Sequence, residues 1–334
     1  MTKIYYQIIL FFTIFSSSLF GKIALASTQI LESNFHEQAR YSFYLSTLYL
    51  SSNGEGHYRL ENQKEEFKID SRSFSTWINV QFGLFDQFNA FAKLGYFSDQ
   101  KISINNLTTN IKSEVINQGI TDASLGLKYR VAHGTQGSVS FGIEFTFPSA
   151  PSEIAEPRTI ENDDTLTSKG KTGDAGNKRF DSSVYAIIRK NHVLGNSEFI
   201  SGFVYTGKRI KNNDQRGALG ELIADNSPDI NVGDIFFIVY QYYVPINKEF
   251  STKFSPYFYK TSRSSLGTEN LSAFHLLGST VTGYFHISKN IAINLGLGLG
   301  FSQSNPVDRN PSTTTRSYDS QSHFTLDAGV LLDF

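Results

Sequence analysis

Counting back from the C-terminus, Phe334, Leu332, Val330, Ala328, Leu326 and Phe324 are apolar, and Asp333, Leu331, Gly329, Asp327 and Thr325 lie between them. A period of two places successive side chains on opposite faces of a strand, so one face meets an apolar medium and the other does not. The run from Ile291 to Ser302 repeats the pattern, with Ile291, Ile293, Leu295, Leu297, Leu299 and Phe301 opposite Ala292, Asn294, Gly296, Gly298, Gly300 and Ser302. From Thr121 to Val131, Leu125, Leu127 and Tyr129 alternate with Asp122, Ser124, Gly126, Lys128 and Arg130. Twelve such segments follow one another, at about 40–51, 67–84, 88–98, 118–132, 137–147, 178–190, 197–208, 231–246, 249–260, 271–287, 291–303 and 315–334. Short connections (Phe85-Asp86-Gln87, Asn247-Lys248, Ser288-Lys289-Asn290) take turns with long polar ones at 52–66, 99–117, 148–177, 209–230, 261–270 and 304–314. Short turns at one end and long loops at the other characterise bacterial outer-membrane barrels. The expected fold is therefore all-β: a monomeric transmembrane antiparallel β-barrel of about twelve strands, ten or fourteen being the fallback, with short periplasmic turns and long extracellular loops.

The N-terminus reads as an export signal over residues 1–26, with Lys3, an apolar run from Ile8 to Phe15 and the small-x-small pattern Ala24-Leu25-Ala26. Residues 27–39 would form a short periplasmic segment and 40–334 the barrel. After the signal nothing supplies the roughly 20 consecutive apolar residues of a spanning helix. With 30 Lys+Arg against 31 Asp+Glu, the net charge of -1 gives no electrostatic footprint for nucleic acid. The absence of cysteine excludes disulfides, thiolate metal sites and a Cys nucleophile. The partners expected are outer-membrane lipid and the outer-membrane insertion machinery.

Parity fixes which side chains face lipid. Leu84 and Phe88 both face outward if an odd number of residues joins their strands, and three do; a slip of one residue would turn every side chain over. The faces opposite the apolar ones carry Lys93, Asp122, Lys128, Arg130, Glu144, Asp327 and Asp333. A Lys or Arg at the bilayer midplane of a barrel costs about 2–4 kcal/mol, so these charges belong in the lumen. Lys93, Asp122, Lys128, Arg130, Glu144 and Asp327 are the candidate lumen-lining residues. They would either set the selectivity of a narrow pore or pair with one another and brace the wall. A secreted β-sandwich also has one apolar face per strand, but leaves the loop asymmetry, the 29 Phe and 17 Tyr and the terminal Phe334 unexplained.

No H-E-x-x-H, G-x-x-x-x-G-K-[ST], G-x-S-x-G or dinucleotide fingerprint occurs, and no catalytic, cofactor-binding or metal-ligating set is expected. His275 with Ser279 and the pair Asp163-Asp164 come nearest to the sites of outer-membrane phospholipases and proteases. The longest connection, Pro148 to Gly176, holds Pro148, Pro151 and Pro157 and almost nothing apolar; it would fold inward as a constriction or stand outside as a mobile loop. Pro256 lies inside the ninth segment, where it removes a ladder hydrogen bond and marks a kink in the wall, or an exit through it. Phe334 closes the last apolar face and reads as the signal for the insertion machinery.

The stretch Gly119-Ile120-Thr121-Asp122-Ala123-Ser124-Leu125-Gly126-Leu127-Lys128-Tyr129-Arg130 resembles a motif of the outer-membrane proteins associated with the meta pathway of phenol degradation. The similarity extends to Phe141-Gly142, Phe147-Pro148, Gly173-Asp174, Phe180-Asp181 and Gly202 to Gly207. It implies uptake of small hydrophobic compounds and a loose likeness to long-chain fatty-acid channels. The chain lacks the Asn-Pro-Ala start of those channels, and Ser27 to Ala39 is too short for their plug. The leading expectation is a channel for passive uptake of small molecules, hydrophobic or aromatic ones among them. The alternatives are a plugged structural or surface-interaction barrel acting through its loops, and, behind it, an outer-membrane hydrolase.

Overall fold

The computed structural model describes residues 36, 38–60, 63–108, 111–149, 156–158, 167–172, 179–209, 215–216, 222–223, 230–231, 233–262, 264–266, 269–271, 273–304 and 315–334. The expected signal, most of the periplasmic segment and Asp163-Asp164 lie outside them. Twelve antiparallel strands form the wall: β1 (Tyr41–Leu60), β2 (Gln63–Phe85), β3 (Phe88–Asn106), β4 (Ile111–Ile120, continued as Ala123–Gly134), β5 (Gly137–Phe147), β6 (Arg179–His192), β7 (Gly195–Arg209), β8 (Ile235–Pro245), β9 (Phe250–Thr261), β10 (Phe274–His286), β11 (Ile291–Ser304) and β12 (Thr315–Asp333). Each pairs with the next, and β12 returns to pair with β1 from Ser42↔Asp333 to Arg59↔Thr315. Closure leaves no sheet edge, the condition for a β-structure in lipid, where unpaired backbone groups find no water.

The outward face repeats the sequence pattern. Ile78, Val80 and Phe82 on β2, Leu125, Leu127 and Tyr129 on β4, and Leu295, Leu297 and Leu299 on β11 are exposed, while their neighbours in sequence are buried or half-buried. Aromatic pairs mark both rims of this belt, as barrels place them at the two interfaces. Phe88–Tyr129 (4.5 Å), Phe250–Phe285 (5.0 Å) and Tyr41–Phe334 (5.1 Å) lie by the periplasmic turns, and Phe145–Phe180 (5.8 Å) by the extracellular ends.

Two expected loops are strands. β1 has 20 residues and β2 has 23, against the roughly 9–11 that cross a bilayer. On β2 the pattern inverts at Phe74: above it Glu66, Lys68, Asp70 and Arg72 face outward and Phe67 and Ile69 are buried inside. Charged side chains outside mean water outside, so these hairpins rise beyond the membrane as a sheet. The stretches 52–66 and 99–117 thus largely continue the wall instead of looping over it. Part of the longest connection joins them, with Thr167–Thr172 running parallel to Lys112–Asn117 of β4.

Two irregularities preserve parity. Phe85 pairs with Phe88, so the β2–β3 turn is Asp86-Gln87, and a bulge between Gly83 and Phe85 restores the odd count. β4 breaks at Thr121-Asp122, after Gly119 at φ 141, a conformation that side chains with a Cβ rarely adopt. Thr121 bridges the break: its backbone N–H donates to Gly95 O (2.8 Å) and its hydroxyl accepts from Gly95 N–H (2.9 Å).

Phe334 seals the seam. Its N–H donates to Tyr41 O (2.9 Å), its carbonyl accepts from Tyr41 N–H (3.0 Å), and its ring stacks on Tyr41. Deleting it removes both bonds and the stack, so the folded, heat-modifiable fraction on cold electrophoresis gels should fall while export continues. An unchanged folded yield would count against a role for this residue in assembly.

Candidate functional site: the barrel lumen

Inside the wall, several strands carry polar side chains near the periplasmic end and apolar ones above them. On β7, counting from its periplasmic turn, Glu198 precedes Ile200 and Val204; on β8, Gln241 lies below Val239 and Ile235; on β9, Lys253 lies below Tyr257 and Tyr259. β1 runs from Tyr44 and Ser46 up to Leu48 and Leu50, and β2 from Gln81 and Asn79 up to Trp77. On these strands apolar side chains thus lie above polar ones, and the upper lumen also holds buried polar groups: Ser71, Ser73 and Ser75 on β2, Arg179 and Asp181 on β6, Thr206 on β7, and His323 and Thr325 on β12.

The polar half is cross-linked. Lys93 on β3 donates to Glu144 on β5 (3.1 Å), each side chain 9% exposed. Lys128 donates to Gln81 (2.9 Å). Both ammonium groups stand over the Phe91 ring, at 4.8 Å and 5.7 Å, within cation–π range. Gly126 makes this possible, because a Cβ there would come within 2.1 Å of the Phe91 ring. Asp327 accepts from Asn294 (2.9 Å), which in turn accepts from the Tyr44 hydroxyl (2.9 Å). Arg130 sits lowest, its guanidinium donating to the Asp86 carbonyl in the β2–β3 turn. Asp122 is buried at the break in β4. At the mouth, His36 bonds to Ser42 (2.8 Å) and lies 3.4 Å from Asp333. Burial holds its pKa below the ordinary value; Asp333 opposes this, and Lys128 and Arg40 reinforce it.

The apolar side chains of the upper lumen form one main cluster. Ile187 on β6, Ile200 and Val204 on β7, Ile235 and Val239 on β8 and Leu276 on β10 pack together, joined by Leu50 from β1. Between Leu50 and the rest lie Thr325 on β12 and, on β11, Gly298 and Gly300, which carry no side chains. Tyr257 lies over two such glycines, for a Cβ at Gly278 would come within 2.3 Å of its hydroxyl oxygen and one at Gly300 within 2.8 Å. Leu48, Trp77 and Phe97 form a smaller cluster on the β1–β3 side.

The candidate residues thus do not form one ring: Lys93 meets Glu144, while Lys128, Arg130 and Asp327 each bond to a different group. Pro256 faces outward between rungs Val239↔Tyr257 and Tyr242↔Phe254, which keep one register, and its own rung to Ser279 is intact. His275 and Ser279 are on the outward side of β10, with His275 stacked on Phe258 at 6.2 Å. Among the described residues no group of three His, Asp or Glu could hold a metal ion. The inward charges missed from sequence are Arg179, Asp181, Glu198 and Lys253, all on inward parity of β6, β7 and β9. A charge alternating with apolar residues on those strands was the signal.

No family model matches the chain, and no curated protein matches its sequence. Among solved structures, the COG4313 outer membrane channel from Pseudomonas putida F1 is similar, with a TM-score of 0.55 at 10% identity, covering 91% of this chain and 99% of that one. The translocator domain of the autotransporter NalP from Neisseria meningitidis follows, with a TM-score of 0.51 at 10% identity and 96% of both chains covered. At such identity the likeness is one of fold, and the fold is that of a closed twelve-stranded barrel of the outer membrane.

Proposed function

We propose that the barrel is a channel for passive uptake of small hydrophobic molecules, aromatic compounds among them. The observation that carries this reading is the apolar cluster in the upper lumen around Val204, Ile235 and Val239, with Phe67 and Ile69 buried higher up on β2. Water-soluble permeants need no such lining, and a wall built only for strength would not concentrate it at the outer end. The resemblance of Gly119 to Arg130 to the barrels associated with phenol degradation supports an aromatic permeant, and the Pseudomonas putida barrel that shares the fold is itself a channel. The cross-linked polar half would act as the narrow section, where inward charge sets ion selectivity.

The test is uptake and conductance together. Cells with intact outer membranes that express the protein should take up a labelled monoaromatic compound faster than cells without it. The purified barrel should also show discrete conductance in planar bilayers. Replacing Lys128 and Arg130 with Ala should shift the reversal potential toward cation preference. Neither uptake nor conductance would overturn the channel reading in favour of a plugged barrel acting through its extracellular strands.

A further inference from the structure

At the extracellular end of β6 a buried cation uses only one edge. Arg179 faces inward and is 1% exposed. Its Nε donates to Asp181, 2.9 Å from Oδ1 and 3.1 Å from Oδ2. Asp181 is held in turn by the Gly207 N–H, which donates to Oδ1 at 3.1 Å. That contact depends on an irregularity in β7, where the register to β6 slips between Thr206 and Arg209. Gly207 comes so close to β6 that a Cβ would lie 2.0 Å from the Phe180 carbonyl oxygen. Bulges that re-aim a group in this way recur beside functional sites. The bulge fixes the carboxylate, and the carboxylate fixes the guanidinium by its Nε edge.

The other edge is open. Nη1 and Nη2 of Arg179 are buried and have no hydrogen-bond partner among the described residues, and the same holds for the hydroxyl of Thr206, on the rung directly beside Asp181. Buried donors are nearly always satisfied, so each exception calls for an occupant or another reason. Two features limit what an occupant can be. Asp181 already neutralises Arg179, so an anion would bring an unpaired buried charge, which is costly. The next inward residue down β7 is Val204, with Ile235 beside it on β8, and both belong to the apolar cluster.

We propose that Arg179 Nη1 and Nη2, with the Thr206 hydroxyl, form a subsite for the carbonyl oxygen of an uncharged apolar compound. An sp² oxygen has two lone pairs near one plane, suited to the paired N–H groups of a guanidinium edge, and the hydrocarbon part would rest on the side of Val204 and Ile235. The permeant class implied is ketones, aldehydes or esters with a small apolar or aromatic body. The inference rests on the channel reading for how such a compound arrives, but binding can be measured without transport.

The experiment compares three probes of nearly one shape on the full barrel in lipid nanodiscs, by ligand-observed NMR with empty nanodiscs as the blank. Acetophenone offers the carbonyl, α-methylstyrene replaces its oxygen with CH2, and benzoate replaces its methyl with a charged oxygen. Acetophenone should bind about tenfold more tightly than either, the ratio expected for hydrogen bonds from a charged donor. The double variant Arg179→Gln, Asp181→Asn, which removes both charges together, should abolish that preference. Thr206→Val keeps the ion pair and the shape and should reduce it. Equal binding of acetophenone and α-methylstyrene, tighter binding of benzoate, or a preference unmoved in Thr206→Val and in a folded double variant would overturn the proposal. Carbonyl preference without uptake by cells would instead count against the channel reading alone.

Discussion

Replacing Lys93 with Met should destabilise the barrel by about 3–5 kcal/mol, the usual result of removing one partner of a buried ion pair. The Glu144 carboxylate would remain in the wall at 9% exposure without the ammonium 3.1 Å away. The same change takes a cation from 4.8 Å above the Phe91 ring. The double variant Lys93→Met, Glu144→Leu should recover most of the loss, because two apolar side chains leave no uncompensated charge. The urea midpoint of the refolded barrel measures both. The magnitude also reports on the medium: a pair in a water-filled pore would be worth about 0–1 kcal/mol, as exposed pairs are. A loss that small would mean that the polar half of the lumen is open, and a large one that it is packed.

Much of the wall was legible because lipid outside and polar groups inside impose opposite demands on alternate residues. All twelve expected segments correspond to wall strands, and Leu125, Leu127 and Tyr129 face outward while Lys128 and Glu144 face in. Legibility ended where the outer medium changed. Between Glu66 and Arg72 the outward residues are charged because they meet water, so the expected second segment stopped at Phe67, and 52–66, which continues the hairpin, read as a polar loop. Phe67 and Ile69 were the cue, being apolar residues at the positions that are polar lower on the strand. The partners of the inward charges were less legible, since they depend on reach across strands. Lys93 meets Glu144 over β4, and Gly126, which stands between them on the rungs Phe91↔Gly126 and Gly126↔Glu144, carries no side chain to intervene. Arg179 and Asp181 share the inward parity of one strand, yet the bond that holds Asp181 comes from a bulge at Gly207 on the next strand, which no local pattern announces.

For the proposed channel, the apolar cluster of the upper lumen bears on the direction of transport. A hydrophobic molecule gains free energy on leaving water for the upper cluster, at roughly 25 cal/mol per Å² of apolar surface buried, and meets the cross-linked section around Lys93 and Lys128 below it. Entry is thus favourable at the outer side, and the polar half below is the barrier to passage. Substitutions in the upper cluster should change affinity for the permeant, and substitutions around Lys93 and Lys128 should change its rate of passage and the ion conductance.

Leu127→Arg tests the orientation on which all of this depends. Leu127 sits on the outward face of β4, paired with Ala90 on β3 and Ile143 on β5, both on the lipid side. An Arg there is near the middle of the outward run from Leu125 to Val131, far from the charged residues above Phe74 on β2. A cation at that depth costs about 2–4 kcal/mol in a barrel wall, partly relieved if its long side chain reaches toward the interface. The neighbouring change Lys128→Arg keeps a cation in the lumen, where Gln81 accepts at 2.9 Å, and should leave the urea midpoint close to that of the unaltered protein. The two substitutions place the same side chain on adjacent residues, so their difference isolates the medium that each face meets. Equal stability of the two variants would mean that strand β4 is turned the other way, and with it the assignment of lipid and lumen.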